Sequence, residues 1–314
     1  MSITENVKLH DIIEKIKKGL RVDTYTAEDI LYKVLKGVQD NLNVEEIIRE
    51  TRLPLVTIID ILKHLYDAQL INYPITDFER QFEEYLKIKG EIILPYRTKH
   101  KTKYEYDQWK CDITTVINRV KKIIRDNYLI GRRILFLGDD DFTSIYLALA
   151  VDNLAEIHVI DIDSELLDLI NELNMRLGLN IKTHNLDLRD PIPEYLRNKF
   201  DIFFTDPPFT YNGIALYLLQ GFLSLKNEKG TKGYLCISPP SLMDDIYRIQ
   251  QLIYEKGFYI DEIIKSFNVY PGLREDIPCI VSDLYVLKRV KIVPITEKDF
   301  ENIHVSAIYT QKRA

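Results

Sequence analysis

The chain has 314 residues, of which 46% are hydrophobic, so its length and composition predict two domains with sizeable buried cores. Its formal net charge of −6 argues against a nucleic-acid partner and is compatible with a cationic small molecule. It has no apolar run of transmembrane length, and its three cysteines and six histidines lack the spacing of a disulfide framework or a metal site.

The N-terminal part of the chain predicts an α-rich, winged-helix-like domain over residues 1–95. Met1–Leu20 is charged and has no apolar segment of the kind that directs secretion, so we expect a cytoplasmic protein. Residues 26–72 show helical spacing, a turn at Arg52-Leu53-Pro54, a second helix, and a segment at Leu70–Tyr73 that could form a wing strand. Few glycines and prolines with many Ile, Lys, Glu and Tyr would suit a thermophile.

A helix-turn-helix is often a DNA-binding element, but the charge of this one argues against that function. Residues 1–95 hold 13 Lys and Arg against 17 Asp and Glu, whereas a DNA reader needs cations to meet the phosphates. The helix that would enter the groove offers Lys63 and His64 together with Asp60 and Asp67. We therefore expect a structural or dimerising role, and a homodimer, with DNA binding as the alternative.

Residues 96–127 predict a linker followed by a helix. Arg97–Lys103 is basic and is expected to form a loop, and Asp112–Asp126 has the spacing of an amphipathic helix. The basic residues of that helix are expected on its solvated face; they are Arg119, Lys121, Lys122 and Arg125.

From residue 128 to residue 314, short apolar runs alternate with helical patterns, which predicts a mostly parallel, doubly wound α/β sheet of the Rossmann-like methyltransferase type. The expected strands are 133–137, 156–160, 180–183, 200–204, 233–237, 260–268 and 280–289, and the expected helices are 143–151, 164–177, 214–225 and 244–256. Ligands of such sheets lie beyond the carboxyl ends of the strands. A late segment, Tyr270–Pro278, could be a substrate lid or an ordinary hairpin connection.

Three consecutive acids, Asp139-Asp140-Asp141, follow Gly138 after the first strand. The glycine lets backbone approach a ligand, and the loop is not the glycine-rich pattern that binds a dinucleotide pyrophosphate. The carboxylates repel phosphate and one another, so they predict a cationic ligand such as a sulfonium or a polyamine. The alternative is a solvated turn in which one aspartate caps the helix that starts at Thr143.

Acids after the second and third strands predict a nucleoside site. Asp161 is placed to accept hydrogen bonds from ribose hydroxyls, although Asp163 beside it could simply cap the next helix. Asp187 and Leu188 are candidates for contacts with an adenine ring, and the alternative for Asp187 is a solvated loop.

Asp206-Pro207-Pro208-Phe209 follows the fourth strand and is the most informative segment of the chain. Two prolines give a rigid turn without backbone donors, which would fix the Asp206 carboxylate and the Phe209 ring. This is the pattern of enzymes that alkylate amino groups: the carboxylate orients the attacking nitrogen, and the ring packs on the acceptor or the cation.

Taken together, these motifs resemble the branched-chain polyamine synthases of thermophiles, the N(4)-bis(aminopropyl)spermidine synthases. Tyr106-Asp107-Gln108 and the winged-helix-like domain ahead of the sheet are also similar to that family, so the resemblance covers nearly the whole chain. It implies aminopropyl transfer from decarboxylated S-adenosylmethionine, a co-substrate and not a resident cofactor, to the secondary amine of spermidine and then of its singly branched product. Methylthioadenosine would be the by-product.

The resemblance also implies a role for each motif. Asp206 and Asp140 would lie nearest the reacting nitrogen as catalytic residues, and Asp139 and Asp141 would hold cationic ends of the substrates. The other expected substrate-binding residues are Pro207, Phe209, Tyr106, Asp107 and Gln108, and the expected donor-binding residues are Gly138, Asp161, Asp187 and Leu188. Because decarboxylation leaves the donor a dication, three acids suit it better than they suit S-adenosylmethionine.

Two other functions stay open at this point. Asp206-Pro207-Pro208-Phe209 with a winged helix would also fit an S-adenosylmethionine-dependent methyltransferase acting on amino groups of RNA or DNA. A transcription regulator with a degenerate enzyme domain is the second alternative, and the poor charge of the helix-turn-helix counts against it.

Overall fold

The computed structural model describes residues 3–20, 22–72, 75–127, 129, 131–151, 155–274 and 277–310. Its helices are α1 (Ile3–Leu20), α2 (Thr24–Gln39), α3 (Val44–Thr51), α4 (Leu55–Asp67), α5 (Ile75–Lys99), α6 (Ile113–Asp126), α7 (Thr143–Val151), α8 (Ser164–Leu177), α9 (Tyr211–Ser224), α10 (Pro239–Leu242) and α11 (Asp245–Glu255). Its strands are β1 (Arg133–Leu137), β2 (Glu156–Asp161), β3 (Ile181–Asn185), β4 (Ile202–Thr205), β5 (Lys232–Ile237), β6 (Phe258–Arg274) and β7 (Ile277–Arg289). No described helix is long and apolar enough to cross a membrane.

The first four helices bury a core of their own. It is aliphatic, and its fully buried members include Val34, Ile47 and Leu65. Helix α3 begins with a capping box in which the Asn43 side chain accepts from the Glu46 N–H and the Glu46 side chain accepts from the Asn43 N–H. The helix-turn-helix is therefore present as α3 and α4.

The wing strand that was expected at Leu70–Tyr73 is not formed in its described part. Leu70–Asn72 makes no strand, and Tyr73 lies outside the described residues. The basic loop expected at Arg97–Lys103 is also partly wrong, because α5 continues to Lys99. Its buried residues Phe82, Leu86, Ile93 and Tyr96 join the core under the sheet, and not the core of the first four helices.

The sheet has the strand order β3-β2-β1-β4-β5-β7-β6. The first five strands in this order pair in parallel, as expected from apolar runs separated by helices, and β7 pairs antiparallel with both β5 and β6. Helices α6, α7 and α8 cover one face, and α9 and α11 cover the other. Tyr270–Pro278 belongs to the β6–β7 hairpin, and its residues 275 and 276 lie outside the described part.

Candidate functional site

The expected site residues meet at the carboxyl edge of the parallel strands. Gly138 follows β1, Asp161 ends β2 and Asp206 follows β4, which is the edge where ligands bind in doubly wound sheets. Two adjoining cavities lie there. One is lined by Tyr106, Asp107, Gln108, Arg119, Gly138, Asp139, Asp140, Asp141, Asp161, Asp206, Pro208, Tyr217 and Tyr309, among others. The second is lined by Asp161, Asp187, Leu188, Arg189, Tyr217, Ile308 and Tyr309, among others.

The three acids after β1 have three different environments. Asp139 accepts from the Ser144 backbone N–H at 3.2 Å and from its hydroxyl at 2.5 Å, so it caps the start of α7. Asp141 accepts from guanidinium groups. Only Asp140 has a buried carboxylate oxygen without a hydrogen-bond partner among the described residues. The prediction that Asp139 and Asp141 hold ligand cations is therefore not supported by their contacts, since protein donors already engage both carboxylates.

A buried arginine, Arg119, joins the loops after β1 and β4. Its guanidinium donates to Asp141 Oδ2 at 2.7 Å and to Asp206 Oδ2 at 2.5 Å, and its Nε donates to Asn268 Oδ1 at 2.8 Å. Arg97 donates to the other oxygen of Asp141 at 3.0 Å. Each oxygen of Asp141 thus meets one arginine, and a single guanidinium joins carboxylates from the loops after β1 and β4.

The expectation that Arg119, Lys121, Lys122 and Arg125 lie on a solvated face was wrong for two of them. Arg119 is 1% exposed and Lys122 is 5% exposed. Lys122 pairs with Asp126 at 2.9 Å and with Glu262 at 2.5 Å. Arg119 faces the loops after β1 and β4 and Lys122 faces β6, so both charges meet ion-pair partners and not solvent.

Asp206 is oriented by two donors that share one of its oxygens. Oδ2 accepts from Arg119 and from the Tyr270 hydroxyl, the latter at 2.7 Å, and Tyr270 is in turn 3.0 Å from the Ser282 hydroxyl. Burial raises the pKa of Asp206, and the charge of Arg119 opposes that rise. Oδ2 is therefore committed to the protein, and Oδ1 is the oxygen left to meet a ligand.

Pro207 and Phe209, which follow Asp206, pack against the protein. Phe209 packs edge-on against Tyr270, with ring centroids 6.3 Å apart, and Pro207 is buried. Pro208 lines the first cavity, whereas neither Pro207 nor Phe209 is among the residues that line it. The predicted contact of the Phe209 ring with a ligand has no support in this geometry.

Asp140 and Asp161 are acids whose burial disfavours ionisation. The pKa of Asp140 lies well above its ordinary value because the group is buried and because Asp141, Asp206 and Asp161 are close. Burial raises the pKa of Asp161 to about 6, although the backbone N–H groups of Asp163 and Asp139 donate to it at 2.9 and 3.3 Å. An approaching cation would favour the ionised form of both.

Asp163 caps α8, as the sequence analysis suggested for this residue. It also binds the segment that precedes α6. His100, Lys103 and Gln108 contact its two oxygens at 2.9, 2.5 and 3.0 Å. Burial opposes ionisation of Asp163, but these hydrogen bonds lower its pKa to about 2. Gln108, predicted to bind substrate, thus has its amide nitrogen occupied, although the residue lines the first cavity.

The last described residues border both cavities. Asp107 accepts from the backbone N–H and hydroxyl of Thr310 at 2.5 and 2.7 Å, which holds Tyr309 beside Tyr106 at 6.3 Å between ring centroids. Tyr309 and Tyr217 line both cavities. Tyr106 and Asp107 thus border the site, as predicted, and Asp107 does so by binding the chain itself.

The expected adenine contacts lie at the second cavity. Asp187 forms a two-pronged ion pair with Arg189, whose Nε is 2.9 Å from Oδ1 and 2.8 Å from Oδ2. Leu188 is buried, and its carbonyl accepts from the Gln220 amide at 2.7 Å. Both residues line the cavity together with Asp161 and Gly138, so the four predicted donor-binding residues are brought together.

Sequence reasoning missed both arginines of the site and three of its tyrosines, Tyr270, Tyr217 and Tyr309. Arg119 did carry a signal, because it lies three residues after Val116 and four before Ile123, on the apolar face of α6. A charge on such a face must be paired in the interior. Tyr270, Tyr217 and Tyr309 carried no comparable signal, since tyrosines at these spacings are equally compatible with core or surface positions.

The family model of the branched-chain polyamine synthase A C-terminal domain matches residues 94–313. The N(4)-bis(aminopropyl)spermidine synthase of Thermococcus kodakarensis is 28% identical, over 83% of each chain. That of Methanocaldococcus jannaschii is 29% identical, over 82% of each.

One solved structure supports the overall fold. The branched-chain polyamine synthase of Thermus thermophilus, in complex with N4-aminopropylspermidine and 5′-methylthioadenosine, superposes with a TM-score of 0.62 at 20% identity. The match covers 92% of this chain and 94% of that one. At this level of identity the superposition shows a shared fold.

Replacing Arg119 should strongly destabilise the chain. Arg119→Met leaves Asp141 and Asp206 without their shared cation, and breaking one side of a buried ion network costs about 3–5 kcal/mol. Urea unfolding at neutral pH measures the loss. Arg133→Met is the matched control, because its pair with Glu156 is 45% exposed on the arginine side and should be worth less than about 1 kcal/mol. Similar losses in the two variants would contradict the role of Arg119.

Asp161 should make the ligand-free chain less stable as pH rises from about 4 to about 6. Its pKa is near 3.8 when unfolded and about 6 when folded, so the unfolded chain ionises first, and the full difference corresponds to about 3 kcal/mol. Asp161→Asn removes this loss. Its stability relative to wild type should therefore increase across that range in urea unfolding, whereas exposed Asp168→Asn should show a constant difference. A parallel pH profile for wild type and Asp161→Asn would be the contrary result.

Proposed function

The chain belongs to the branched-chain polyamine synthase A family, and we propose that it transfers aminopropyl groups from decarboxylated S-adenosylmethionine to the secondary amine of spermidine. The products would be branched-chain polyamines and methylthioadenosine. Related enzymes carry the name N(4)-bis(aminopropyl)spermidine synthase, and the structural relative holds N4-aminopropylspermidine and 5′-methylthioadenosine.

The observation that carries this proposal is the excess of carboxylate over guanidinium at the site. Five acids line the first cavity around the β1 and β4 loops: Asp139, Asp140, Asp141, Asp161 and Asp206. Arg119 and Arg97 pair with Asp141 and Asp206 only. A polycation would favour the ionised forms of the remaining acids, whereas a substrate with its own carboxylate or phosphate would meet added repulsion.

The donor fits across the two cavities. Its ribose hydroxyls would reach Asp161 and its adenine would lie between Leu188 and Tyr217, on the side where Asp187 lies. The sulfonium and the aminopropyl ammonium would then extend past Gly138 toward Asp140. Decarboxylated S-adenosylmethionine has no carboxylate to oppose these acids, which favours it over S-adenosylmethionine.

The acceptor amine would lie between Asp206 and Asp140. Asp206, oriented by Arg119 and Tyr270, would accept a hydrogen bond from the amine and aim its lone pair. Asp140 has the carboxylate oxygen with no protein donor and is suited to take the proton. The nitrogen forms a bond to the carbon next to sulfur, the C–S bond breaks toward sulfur, and methylthioadenosine leaves as a neutral thioether.

The packing of α4 argues against nucleic-acid binding by this helix. The helix that would enter a DNA groove instead packs Leu55 and Ile59 against the core that lies under the sheet. The face of α4 that carries these two side chains is therefore not free to enter a groove. The division into residues 1–95, 96–127 and 128–314, the homodimer and the cytoplasmic location remain proposals made from the sequence.

The direct test is mass spectrometry of the products formed from spermidine and decarboxylated S-adenosylmethionine. We expect the acceptor mass to increase by one or two aminopropyl units. A parallel thermal-shift comparison separates the main alternative, because an amino-methyltransferase should be stabilised more by S-adenosylmethionine and should be retained on RNA at physiological salt. No mass gain, together with that preference, would overturn the proposal.

Two variants test the roles of the acids. Asp206→Ala should abolish transfer while leaving the affinity for methylthioadenosine within about threefold, because Asp206 contacts Tyr270 and Arg119 on the amine side. Asp140→Asn keeps the shape of the side chain and should lower kcat by about 10²–10⁴-fold through loss of the proton acceptor.

The control for both is Asp190→Asn, an exposed acid near the second cavity, which should keep full activity. Transfer is measured by release of methylthioadenosine, and binding by calorimetry. An active Asp206→Ala enzyme would contradict the role of Asp206, and an Asp140→Asn enzyme of normal kcat would contradict that of Asp140.

A further inference from the structure

A third cavity, which shares no lining residue with the first two, lies between the N-terminal helices and the catalytic domain. It measures about 760 Å³ and is bounded by α1 and α4 on one side and by α6 on the other. Cavities of a few hundred to a thousand Å³ at domain interfaces are the usual size and place for small organic ligands. The reaction proposed above uses none of its lining residues.

The charge of this interdomain cavity is opposite to that of the chain. Seven lysines and arginines line it, against a single acid, Asp60; they are Lys15, Lys18, Lys63, Lys121, Lys122, Arg125 and Arg132. Three of these have acidic partners in Glu83, Asp126 and Asp201. No acidic partner is found within the described residues for Lys18, Lys63 or Arg125, which come from three different helices.

The floor of the cavity is apolar, with one exception. Ile16, Leu62, Phe82 and Phe267 are among the side chains that form it. Thr57, 6% exposed, also lines it, and its hydroxyl is buried without a hydrogen-bond partner. A buried hydroxyl without a partner is costly, so this group is available to a molecule that fills the cavity.

We propose that the interdomain cavity binds an organic phosphate, with the charged head at Lys18, Lys63 and Arg125 and an apolar or aromatic body against the floor. The three cations, which lie on three helices and have no acidic partner among the described residues, would pair with a multiply charged phosphate head. Phe82 and Phe267 would pack against the apolar or aromatic body of the ligand. The Thr57 hydroxyl bonds a polar atom of that body. The same cations repel spermidine, so the cavity is not a second acceptor site.

Occupancy of this cavity would bear on the active site through α6. Arg119, on the same helix, pairs with both catalytic-loop acids, and Arg125 lies less than two turns further on. A phosphate that joins Arg125 to Lys63 therefore fixes α6 against α4.

Calorimetry on the full chain, saturated with 5′-methylthioadenosine to block the nucleoside pocket, tests the proposal. The probes are ATP for a nucleotide, dodecyl phosphate for a lipid-like phosphoester, and inorganic tripolyphosphate for charge alone. We expect ATP or dodecyl phosphate to bind one per chain with Kd below about 100 µM, at least about tenfold tighter than tripolyphosphate. Which of the two binds identifies the source, and either result supports the site. Failure of both to exceed tripolyphosphate overturns it.

Variants locate the binding. Lys63→Gln with Arg125→Gln should weaken the bound probe by about tenfold or more, whereas Lys229→Gln, an exposed lysine outside the cavity, should not change it. Thr57→Val should raise the Tm of the free chain and weaken the probe by about fivefold. Equal binding by the double variant and wild type contradicts the proposal. So does a labelled DNA duplex that binds more tightly than either probe and is lost in the double variant.

Discussion

The site depends on one buried interaction, the pairing of Arg119 with Asp141 and Asp206. The two acids belong to loops after different strands, β1 and β4, and without a cation between them they would repel across a medium of low polarity. The guanidinium is planar and presents several donors in fixed directions, so it sets the distance between the loops as well as their charge. Tyr270 and Asn268 of the β6–β7 hairpin complete its surroundings.

This pairing explains why three consecutive acids do not act alike. Asp141 is neutralised by two arginines, and Asp139 is used to cap α7, so neither has a free charge to offer. Asp140 remains, with one buried carboxylate oxygen that has no hydrogen-bond partner among the described residues. The sequence of this loop predicts one cation-binding site. In the structure its three acids are instead a helix cap, a member of an ion pair, and one carboxylate with an oxygen that no donor of the described residues meets.

Local rules were sufficient for most of the fold. Continuous apolar runs bounded by polar residues placed β1 and α7 at their observed limits. Two features could not be predicted in this way, because both depend on contacts between residues far apart in sequence. They are the absence of a strand at Leu70–Asn72 and the different environments of the three acids. Nothing near Asp141 indicates Arg97, which is 44 positions away. Likewise, Arg119 looked solvated because its neighbours Lys121 and Arg125 are charged, although its own spacing from Val116 was that of a buried position.

The raised pKa values of Asp140 and Asp161 connect the architecture to the chemistry. Burial raises the pKa of both groups, and repulsion from neighbouring acids adds to that rise. A bound sulfonium or ammonium would oppose this rise and favour the carboxylate forms, which suits the proton acceptor proposed at Asp140. In the proposed reaction the sulfonium would lose its charge as the C–S bond breaks, and the proton of the amine would pass to Asp140. The acidic site is therefore best matched to a reaction that begins with a cationic donor and ends with a neutral thioether.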